Sequence, residues 1–265
     1  MSKIQRADFI RSRTGLRTYW PLNTDRLPKS RRKLKTDWSA YAASYDLLAE
    51  YNPAYQQLLK EFEKALLEVD APRLIYDVGG GTGNYSQIAA KRYPDSSIYL
   101  VEPDLGMRLR AKDKLSACDN IAYIDCPLQE FEASAKADLV ICVHALYAMP
   151  DPQRRLIELR GLLRPGGLLF LVDIGRTLNV ADWRSYLFSH LTKELGIAKA
   201  IQIFWKGREI AKQNKAIFQA QEEKLYWTHS ESEISSAVES AGFEVITQKT
   251  VYRGYSDLLL CRAAT

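Results

Sequence analysis

A short glycine-rich segment carries the clearest chemistry in the sequence. Residues 77–83 read Asp-Val-Gly-Gly-Gly-Thr-Gly, directly after a β-rich run and before a helical pattern. Glycines at a strand-to-helix turn let a ligand lie against bare backbone at a helix N-terminus, where bound negative charge is favoured. In an open α/β sheet, ligands also bind at this carboxyl edge of the strands. The segment therefore predicts a ligand-binding loop.

The glycine spacing distinguishes between two kinds of ligand. A dinucleotide fingerprint needs glycines at its first, third and sixth positions, but the sixth position is Asn84 when counted from Gly79 and Ser86 when counted from Gly81. A dinucleotide-dependent oxidoreductase is thereby disfavoured and stays open as an alternative. The observed Asp-x-Gly-x-Gly-x-Gly form resembles motif I of the class I S-adenosylmethionine-dependent methyltransferases. The order of elements from about Trp38 to the C-terminus resembles the small-molecule members of that family.

The resemblance implies that the cofactor is S-adenosyl-L-methionine and that its product is S-adenosyl-L-homocysteine. Glu102 matches the acidic residue that binds both ribose hydroxyls, because a carboxylate can accept two hydrogen bonds from a cis-diol. Asp77 and the glycines match the positions around the methionine portion. The cofactor-binding residues that the resemblance implies are Tyr45, Asp77, Gly79, Gly81, Gly83, Glu102, Pro103, Met107, Asp125, Cys126 and Val143.

The adenine portion has two implied contact regions within this set. Pro103, Asp104 and Met107 follow the second predicted strand, where the family usually covers the adenine face. Asp125 and Cys126 end the third predicted strand and match the loop that contacts the adenine edge. For Asp125 the alternative is an ordinary turn, because acidic residues often form turns at strand ends.

The segment 38–46 is expected to cover the cofactor. It reads Trp-x-x-Tyr-Ala-x-x-Tyr-Asp and resembles the Tyr-Asp segment that precedes the core in many small-molecule methyltransferases. In that family a helix folds over the cofactor here, and Tyr45 is expected near the sulfonium, because an aromatic face attracts a cation. Aromatic residues at helical spacing are also typical of a core, so simple packing is the alternative.

Substrate choice is expected to depend on residues 143–147, Val-His-Ala-Leu-Tyr, after the fourth predicted strand. This segment lacks the Asn-Pro-Pro-Tyr or Asp-Pro-Pro-Tyr of base-methylating enzymes and the Pro-Cys of cytosine-C5 enzymes, which favours a small-molecule acceptor over nucleic acid. His144 is the candidate catalytic residue, because imidazole titrates near neutrality, as a general base for a hydroxyl or amine must. A hydrogen-bonded structural histidine is the alternative. His190 and His229 are weaker candidates.

The elements that position these residues follow a βα alternation. Such an alternation calls for a parallel sheet with helices on both faces. The predicted strands are Leu74–Val78, Ile98–Val101, Ile121–Ile124, Leu139–Val143 and Leu168–Val172, and the predicted helices lie near 84–93, 105–117 and 152–163. Two further runs, Phe243–Thr247 and Leu258–Cys261, predict a terminal antiparallel hairpin. The expected fold class is α/β: a doubly wound, mostly parallel, seven-stranded Rossmann-like sheet.

The predicted organisation is a basic N-terminal arm, residues 1–36, and a single methyltransferase domain, residues 37–265. Helices over 37–70 begin the domain and are divided at Pro53, because proline interrupts a helix. A helical lid is predicted over about 178–224. Three aromatic residues are expected to shape an acceptor pocket or else to pack within the lid: Tyr147, Trp183 and Tyr186.

The positive charge of the chain is concentrated in the predicted arm. The net charge is +5, yet residues 1–36 hold eleven Lys or Arg and two acidic residues, which gives +9, and the remainder carries −4. The arm is expected either to contact an acidic partner or substrate or to be a solvated extension. The slightly acidic remainder argues against a nucleic-acid-binding protein. Deletion of the arm is expected to preserve cofactor affinity and to change acceptor turnover.

Composition excludes several other classes. With 46% hydrophobic and 26% charged residues the chain is globular, and no apolar run approaches the length of about 18 residues that a transmembrane helix needs. The four cysteines form no CxxC pair and indicate reduced thiols and a cytoplasmic protein. The expected reaction needs no metal. A catalytically silent cofactor-binding protein remains an alternative.

Overall fold

The computed structural model describes residues 36–264. Two helices come first, α1 (Trp38–Tyr51) and α2 (Pro53–Ala65). Asp37 caps α1 by accepting a hydrogen bond from the backbone N–H of Ala40. Asn52 ends α1 and caps α2, with Pro53 at the first helical position, where a missing N–H costs nothing. The predicted division at Pro53 is thus a pair of helices with one shared capping residue.

Seven strands and seven further helices complete the described chain. They are β1 (Leu74–Val78), α3 (Asn84–Arg92), β2 (Ser97–Val101), α4 (Leu105–Lys114), β3 (Ile121–Ile124), β4 (Ala137–Val143), α5 (Pro152–Leu162), β5 (Leu163–Ile174), α6 (Val180–Leu195), α7 (Ile197–Lys206), α8 (Arg208–Glu222), α9 (Glu231–Ser240), β6 (Phe243–Val251) and β7 (Ser256–Ala263). Short 3-10 turns lie at Leu66–Glu68, Leu128–Glu130, Leu146–Ala148 and Tyr252–Gly254.

The strands form one sheet in the order β3-β2-β1-β4-β5-β7-β6. The first five strands pair in parallel, and β7 pairs antiparallel with both β5 and β6. The expected seven-stranded, mostly parallel fold with a terminal antiparallel hairpin is confirmed. The carboxyl ends of β1, β2 and β4 therefore meet at one edge, because these parallel neighbours run in the same direction.

The alternation of side chains along the strands produces two hydrophobic clusters, one on each face of the sheet. Ile75 on β1 and Phe170 on β5 belong to the cluster that includes α1, α2 and α3. Their neighbours Tyr76 and Leu171 belong to the cluster that includes α5 and α9. Successive residues of a strand point to opposite faces, and burial on both faces explains the nearly continuous apolar runs in the sequence.

Most predicted boundaries agree with the observed ones to within a few residues. Strand β5 is the main exception, because it begins at Leu163 rather than Leu168. Residues 165–167, Pro-Gly-Gly, therefore lie inside β5, where Gly166 has a φ of 75°. An early pair, Ala137 with Leu163, precedes this irregularity, and the regular ladder resumes at Leu139 with Leu168. The predicted lid segment consists of the three helices α6, α7 and α8.

Candidate active site

The glycine loop between β1 and α3 has a backbone that only glycine adopts without strain. Gly79 has a φ of 67°, and a Cβ atom there would lie 2.4 Å from the Cβ of Ala145. Its N–H donates to the carbonyl oxygen of Val101 at 2.8 Å, which ties the loop to the end of β2. A side chain at Gly79 would collide with Ala145, just after β4, and push that segment away from the loop, so this position requires glycine.

A cavity, here called the edge cavity, lies at the carboxyl ends of β1, β2 and β4. Its lining includes nine of the residues singled out from the sequence: Tyr45, Asp77, Gly79, Gly81, Glu102, Pro103, Met107, Val143 and His144. Further lining residues are Trp38, Tyr55, Gly80, Asn84, Tyr85, Asp104, Ala145, Ala148 and Met149. The fold thus brings most of the implied cofactor-binding residues into one place.

Three of the implied cofactor-binding residues do not line the edge cavity. A Cβ atom on Gly83 would lie 2.6 Å from a methyl group of Leu115, so this glycine permits close packing of α3 and α4. Asp125 pairs with Arg108 at 2.5 Å, and its side chain is 71% exposed. Cys126 is partly buried outside the cavity lining. A cofactor contact for these three residues stays a prediction.

Glu102 is held at the cavity wall by backbone donors. Its Oε2 accepts from the N–H of Gly81 at 3.0 Å, and its Oε1 accepts from the N–H of Asp104 at 2.9 Å. Desolvation raises the pKa of Glu102 to about 7, although the two backbone hydrogen bonds favour the charged form. Each carboxylate oxygen can accept a second hydrogen bond, so both remain able to bind donors from a ligand.

Asp77 is the second buried carboxylate of the edge cavity. Its Oδ2 accepts from the N–H of Ser86 at 3.1 Å and from the Ser86 hydroxyl at 2.6 Å. Burial raises the pKa of Asp77 to about 6, and the Ser86 hydrogen bonds oppose this rise. Within residues 36–264, neither Asp77 nor Glu102 forms an ion pair. The buried Tyr85 hydroxyl in the same lining also lacks a partner among those residues.

This donor and acceptor set fits S-adenosylmethionine. Asp77 and Glu102 are buried and form no ion pair within the part of the chain that the structure describes. Such carboxylates suit a ligand that brings cationic groups and a diol, because both kinds of group stabilise the ionised carboxylate. At Gly81 the nearest heavy atoms would lie 4.0 Å from an added Cβ atom, so this glycine leaves the backbone open beside the cavity. The fit rests on the observed chemistry of the cavity wall.

Helix α1 is fastened over the loop by a charged network that the sequence pattern did not reveal. Asp46 Oδ1 accepts from the Thr82 hydroxyl and from Lys114 Nζ, both at 2.7 Å, and its Oδ2 accepts from Arg110 at 2.9 Å. Lys114 also donates to Asn84 at 2.6 Å. The only sequence signal for this network is the position of Asp46 directly after Tyr45.

A second cavity, here called the inner cavity, adjoins the edge cavity. The two share Trp38, Tyr45 and His144. The remaining described lining is Tyr41, Leu48, Asn52, Tyr147, Ile174, Leu178, Trp183, Leu187, Ile210, Asn214, Ile217 and Tyr252. None of these described lining residues is Lys, Arg, Asp or Glu, so the inner cavity is neutral and largely aromatic.

Two of the three aromatic residues expected at an acceptor pocket line this inner cavity. Tyr147 and Trp183 line it, whereas Tyr186 packs beside Trp183 at 5.9 Å between ring centroids and lies outside the lining. Sequence reasoning did not identify Tyr252 and Asn214 as cavity residues. They come from the β6–β7 turn and from α8, and no local motif marks them.

His144 lies where the two cavities meet. It turns the chain at the end of β4 with a φ of 50°, an uncommon conformation that often marks functional sites. Its Nε2 is 2.9 Å from the Ser256 hydroxyl oxygen, and its ring centroid is 4.8 Å from that of Tyr252. Burial lowers the pKa of His144 to about 3, so the expectation of titration near neutrality is wrong. The ring is neutral at physiological pH.

The two weaker histidine candidates lie elsewhere. His190 stacks on Tyr186 on the outer part of α6, 6.5 Å between centroids. His229 is buried between Asp173 and Asp257, with nitrogen–oxygen distances of 3.4 and 3.3 Å. Desolvation opposes its charge, but the two carboxylates outweigh this and raise the pKa of His229 to about 9. Neither histidine lines the edge cavity or the inner cavity.

The comparisons with known proteins agree with this geometry. Residues 48–248 match the methyltransferase domain family, so the chain belongs to that family. This membership confirms the methyltransferase family expected from the glycine loop. The solved structure of the N-methyltransferase NodS from Bradyrhizobium japonicum WM9, in complex with S-adenosylhomocysteine, has the same fold. The two structures have a TM-score of 0.58 and a sequence identity of 13%, and the match covers 86% of this chain and 100% of the NodS chain.

Two relatives illustrate the range of the family. The trans-aconitate 2-methyltransferase of Methylobacterium radiotolerans is 30% identical over 46% of this chain and 48% of its own length. The ubiquinone biosynthesis O-methyltransferase of Acinetobacter baylyi is 28% identical over 61% of this chain and 65% of its own. The chain thus spans about half to two thirds of the length of these relatives.

Membrane-spanning helices and clustered metal ligands are both absent from the described residues. Across residues 36–264, no helix combines the length and the apolar character that crossing a membrane requires. Over the same range, no three His, Cys, Asp or Glu side chains are grouped as metal ligands.

Proposed function

We propose that this protein binds S-adenosylmethionine in the edge cavity and transfers its methyl group to a neutral small molecule in the inner cavity. The observation that carries the proposal is the junction of the two cavities, where Trp38, Tyr45 and His144 line both. The sulfonium of this cofactor supplies an already activated methyl group. The protein must therefore hold the acceptor in line with the methyl–sulfur bond and exclude water.

The proposed roles in the edge cavity follow from its charges. Glu102 binds the ribose hydroxyls, and Asp77 lies near the methionine portion. Pro103 and Met107 line the same wall after β2, where the adenine would pack. Tyr45 places an aromatic ring beside the cavity junction, in T-shaped contact with Tyr41 at 5.1 Å. Such a ring attracts the sulfonium cation without competing for the methyl group.

The proposed catalytic role of His144 is to orient the acceptor. A neutral imidazole can accept a hydrogen bond from an acceptor hydroxyl or amine and align its lone pair with the methyl group. With a pKa of about 3, the ring would be a weak base. We therefore propose oxygen or nitrogen as the acceptor atom, in an aromatic or other apolar molecule.

The neutral lining favours some acceptors over others. The names of the relatives point to trans-aconitate, an anion, and to ubiquinone biosynthesis. The described lining of the inner cavity holds no lysine or arginine that could pair with a carboxylate. Burying an unpaired charge there would cost several kcal/mol. A neutral acceptor in the inner cavity is therefore favoured over an anionic one.

The experiment is a titration with S-adenosylhomocysteine and with NAD, followed by transfer of labelled methyl from S-adenosylmethionine to neutral and anionic aromatic acceptors. We expect micromolar binding of S-adenosylhomocysteine and turnover of neutral acceptors only. Binding of NAD alone would indicate the oxidoreductase alternative. Cofactor binding without transfer to any acceptor would favour a catalytically silent protein.

Two further proposals concern the setting of the enzyme. The four cysteines have free thiols, two of them buried at Cys142 and Cys261, which supports a reducing, cytoplasmic location. Most of the basic arm, residues 1–35, lies outside the described residues. We propose that it contacts an acidic partner or the acceptor rather than nucleic acid. A chain without residues 1–36 should bind S-adenosylhomocysteine normally and turn over acceptor differently; unchanged turnover would eliminate this role.

A further inference from the structure

A third cavity, here called the lid channel, extends the inner cavity between α1 and the helices α6–α8. Its apolar lining comes from all four helices and includes Leu47, Leu187, Leu191, Ile203, Phe204 and Ile210. Among the described lining residues the only charged side chain is Arg184, which is solvent-exposed. The channel therefore has an apolar interior with a basic group at its solvent-exposed part.

The lid channel adjoins the inner cavity, the site proposed for the acceptor. It shares Trp183, Leu187 and Ile210 with the inner cavity, together with polar residues Asn52 and Asn214. The inner cavity in turn adjoins the edge cavity at His144. A molecule with its reactive group beside His144 would therefore enter the space between α1 and the lid helices by passing these shared side chains.

The two parts of this path differ in polarity. The inner cavity, unlike the lid channel, is lined by Tyr41 and Tyr252. The Tyr41 hydroxyl donates to Asn214 at 2.9 Å, and the Tyr252 hydroxyl accepts from Asn52 at 3.4 Å, both asparagines being shared with the lid channel. The lid channel presents mainly Leu, Ile, Val and aromatic surface. Apolar surface of this kind gains free energy when an apolar group displaces water from it.

We infer that the acceptor is an amphiphile, with a neutral nucleophilic head in the inner cavity and an apolar tail in the lid channel. This inference rests on the proposed function for the position of the head. The uncharged lining of the inner cavity favours a neutral head, and the apolar lining of the lid channel favours an apolar tail. Burial of each methylene of the tail should increase affinity about 3- to 4-fold until the channel is filled.

The test uses phenol and a series of 4-alkylphenols, from ethyl to octyl, titrated calorimetrically into the full-length protein saturated with S-adenosylhomocysteine. We expect affinity to rise with each added methylene. The variant Ala211→Phe places a ring in the channel from α8 and should weaken binding of 4-octylphenol at least 10-fold while leaving phenol binding unchanged. Leu47→Trp fills the channel from α1 and should give the same pattern if Ala211→Phe folds poorly.

The matched control is Ala198→Phe, which adds the same ring on the exposed face of α7, away from the channel lining. It should bind the whole series as the parent protein does. Affinity that is independent of chain length, or a chain-length effect that survives in both channel-filling variants, would overturn the inference. Failure of the proposed function has a different signature: S-adenosylhomocysteine would not bind, whereas alkylphenol binding would still depend on chain length.

Discussion

Replacement of Glu102 by glutamine tests how the edge cavity recognises its ligand. The change keeps the size of the side chain and removes its charge. The Glu102 carboxylate accepts from the N–H groups of Gly81 and Asp104, and in the proposed complex it also accepts from two ribose hydroxyls. An amide has only one acceptor oxygen, so its NH₂ group would face one of the two backbone donors and could no longer accept from the diol.

The size of the effect follows from these contacts. Hydrogen bonds to charged groups contribute about 1.5–3 kcal/mol each. Because glutamine keeps one acceptor, we expect a loss of about 2–4 kcal/mol, or about 30- to 1,000-fold in the dissociation constant of S-adenosylhomocysteine. Calorimetric titration measures this loss. Glu130→Gln, at an exposed site after β3, is the matched control and should bind normally.

The same carboxylate predicts a pH dependence. The pKa of Glu102 in the free protein is about 7, and the diol donors favour its ionised form. Affinity should therefore fall as the pH drops through 7, by about tenfold between pH 8 and pH 6, because protonation competes with binding. Glu102→Gln should lack this contribution.

Two results would refute this reasoning. One is an affinity of Glu102→Gln within about threefold of the parent when unfolding measurements show an intact fold. The other is the same pH dependence of affinity in the parent and in Glu102→Gln. Either result would mean that another group binds the diol and that the buried carboxylate has a structural role.

Three further predictions concern other parts of the site. Asp46→Asn should lower the free energy of unfolding in urea by about 1–3 kcal/mol, because it leaves the partly buried Lys114 ammonium without its charged partner; an unchanged urea midpoint would contradict this. His144→Gln should keep S-adenosylhomocysteine affinity within about threefold and lower turnover about 10- to 100-fold, because the acceptor loses its alignment; equal loss of both would indicate a structural role. Folding raises the pKa of His229 from about 6.5 to about 9. The protonated side chain therefore stabilises the folded state fully below pH 6.5, and this contribution disappears as the pH rises through 9. The parent should lose about 2–3 kcal/mol over that window and His229→Gln should not; parallel stability curves for the two proteins would exclude this contribution.

The sequence was sufficient for the fold and for the loop at its centre, because both depend on short-range patterns. Apolar runs of strand length alternate with helical spacing, and this alternation predicts the parallel sheet. The glycine loop is also local: the positive φ of Gly79 and its position after β1 depend on adjacent residues. The sequence could also place Glu102 at the same edge, because it directly follows the neighbouring parallel strand.

Contacts between distant segments could not be read in this way. The inner cavity combines α1, the end of β4, the lid helices and Tyr252 from the β6–β7 turn. The Tyr252 hydroxyl is hydrogen-bonded to Asn52, which lies 200 positions earlier in the chain. The network of Asp46 and Lys114 joins residues 68 positions apart. No spacing rule predicts such pairs, because each depends on how separate helices pack on the sheet.

His144 shows the difference most clearly. Its position after β4 marked it as a candidate from the sequence alone, since the carboxyl end of a central strand faces the ligand site. Its protonation state depends on burial beside Ser256 and Tyr252, which arrive from β7 and from the turn before it. The sequence determines which side chain is present, whereas the surrounding tertiary structure determines its pKa, because the solvation energy of a charge depends on everything packed around it.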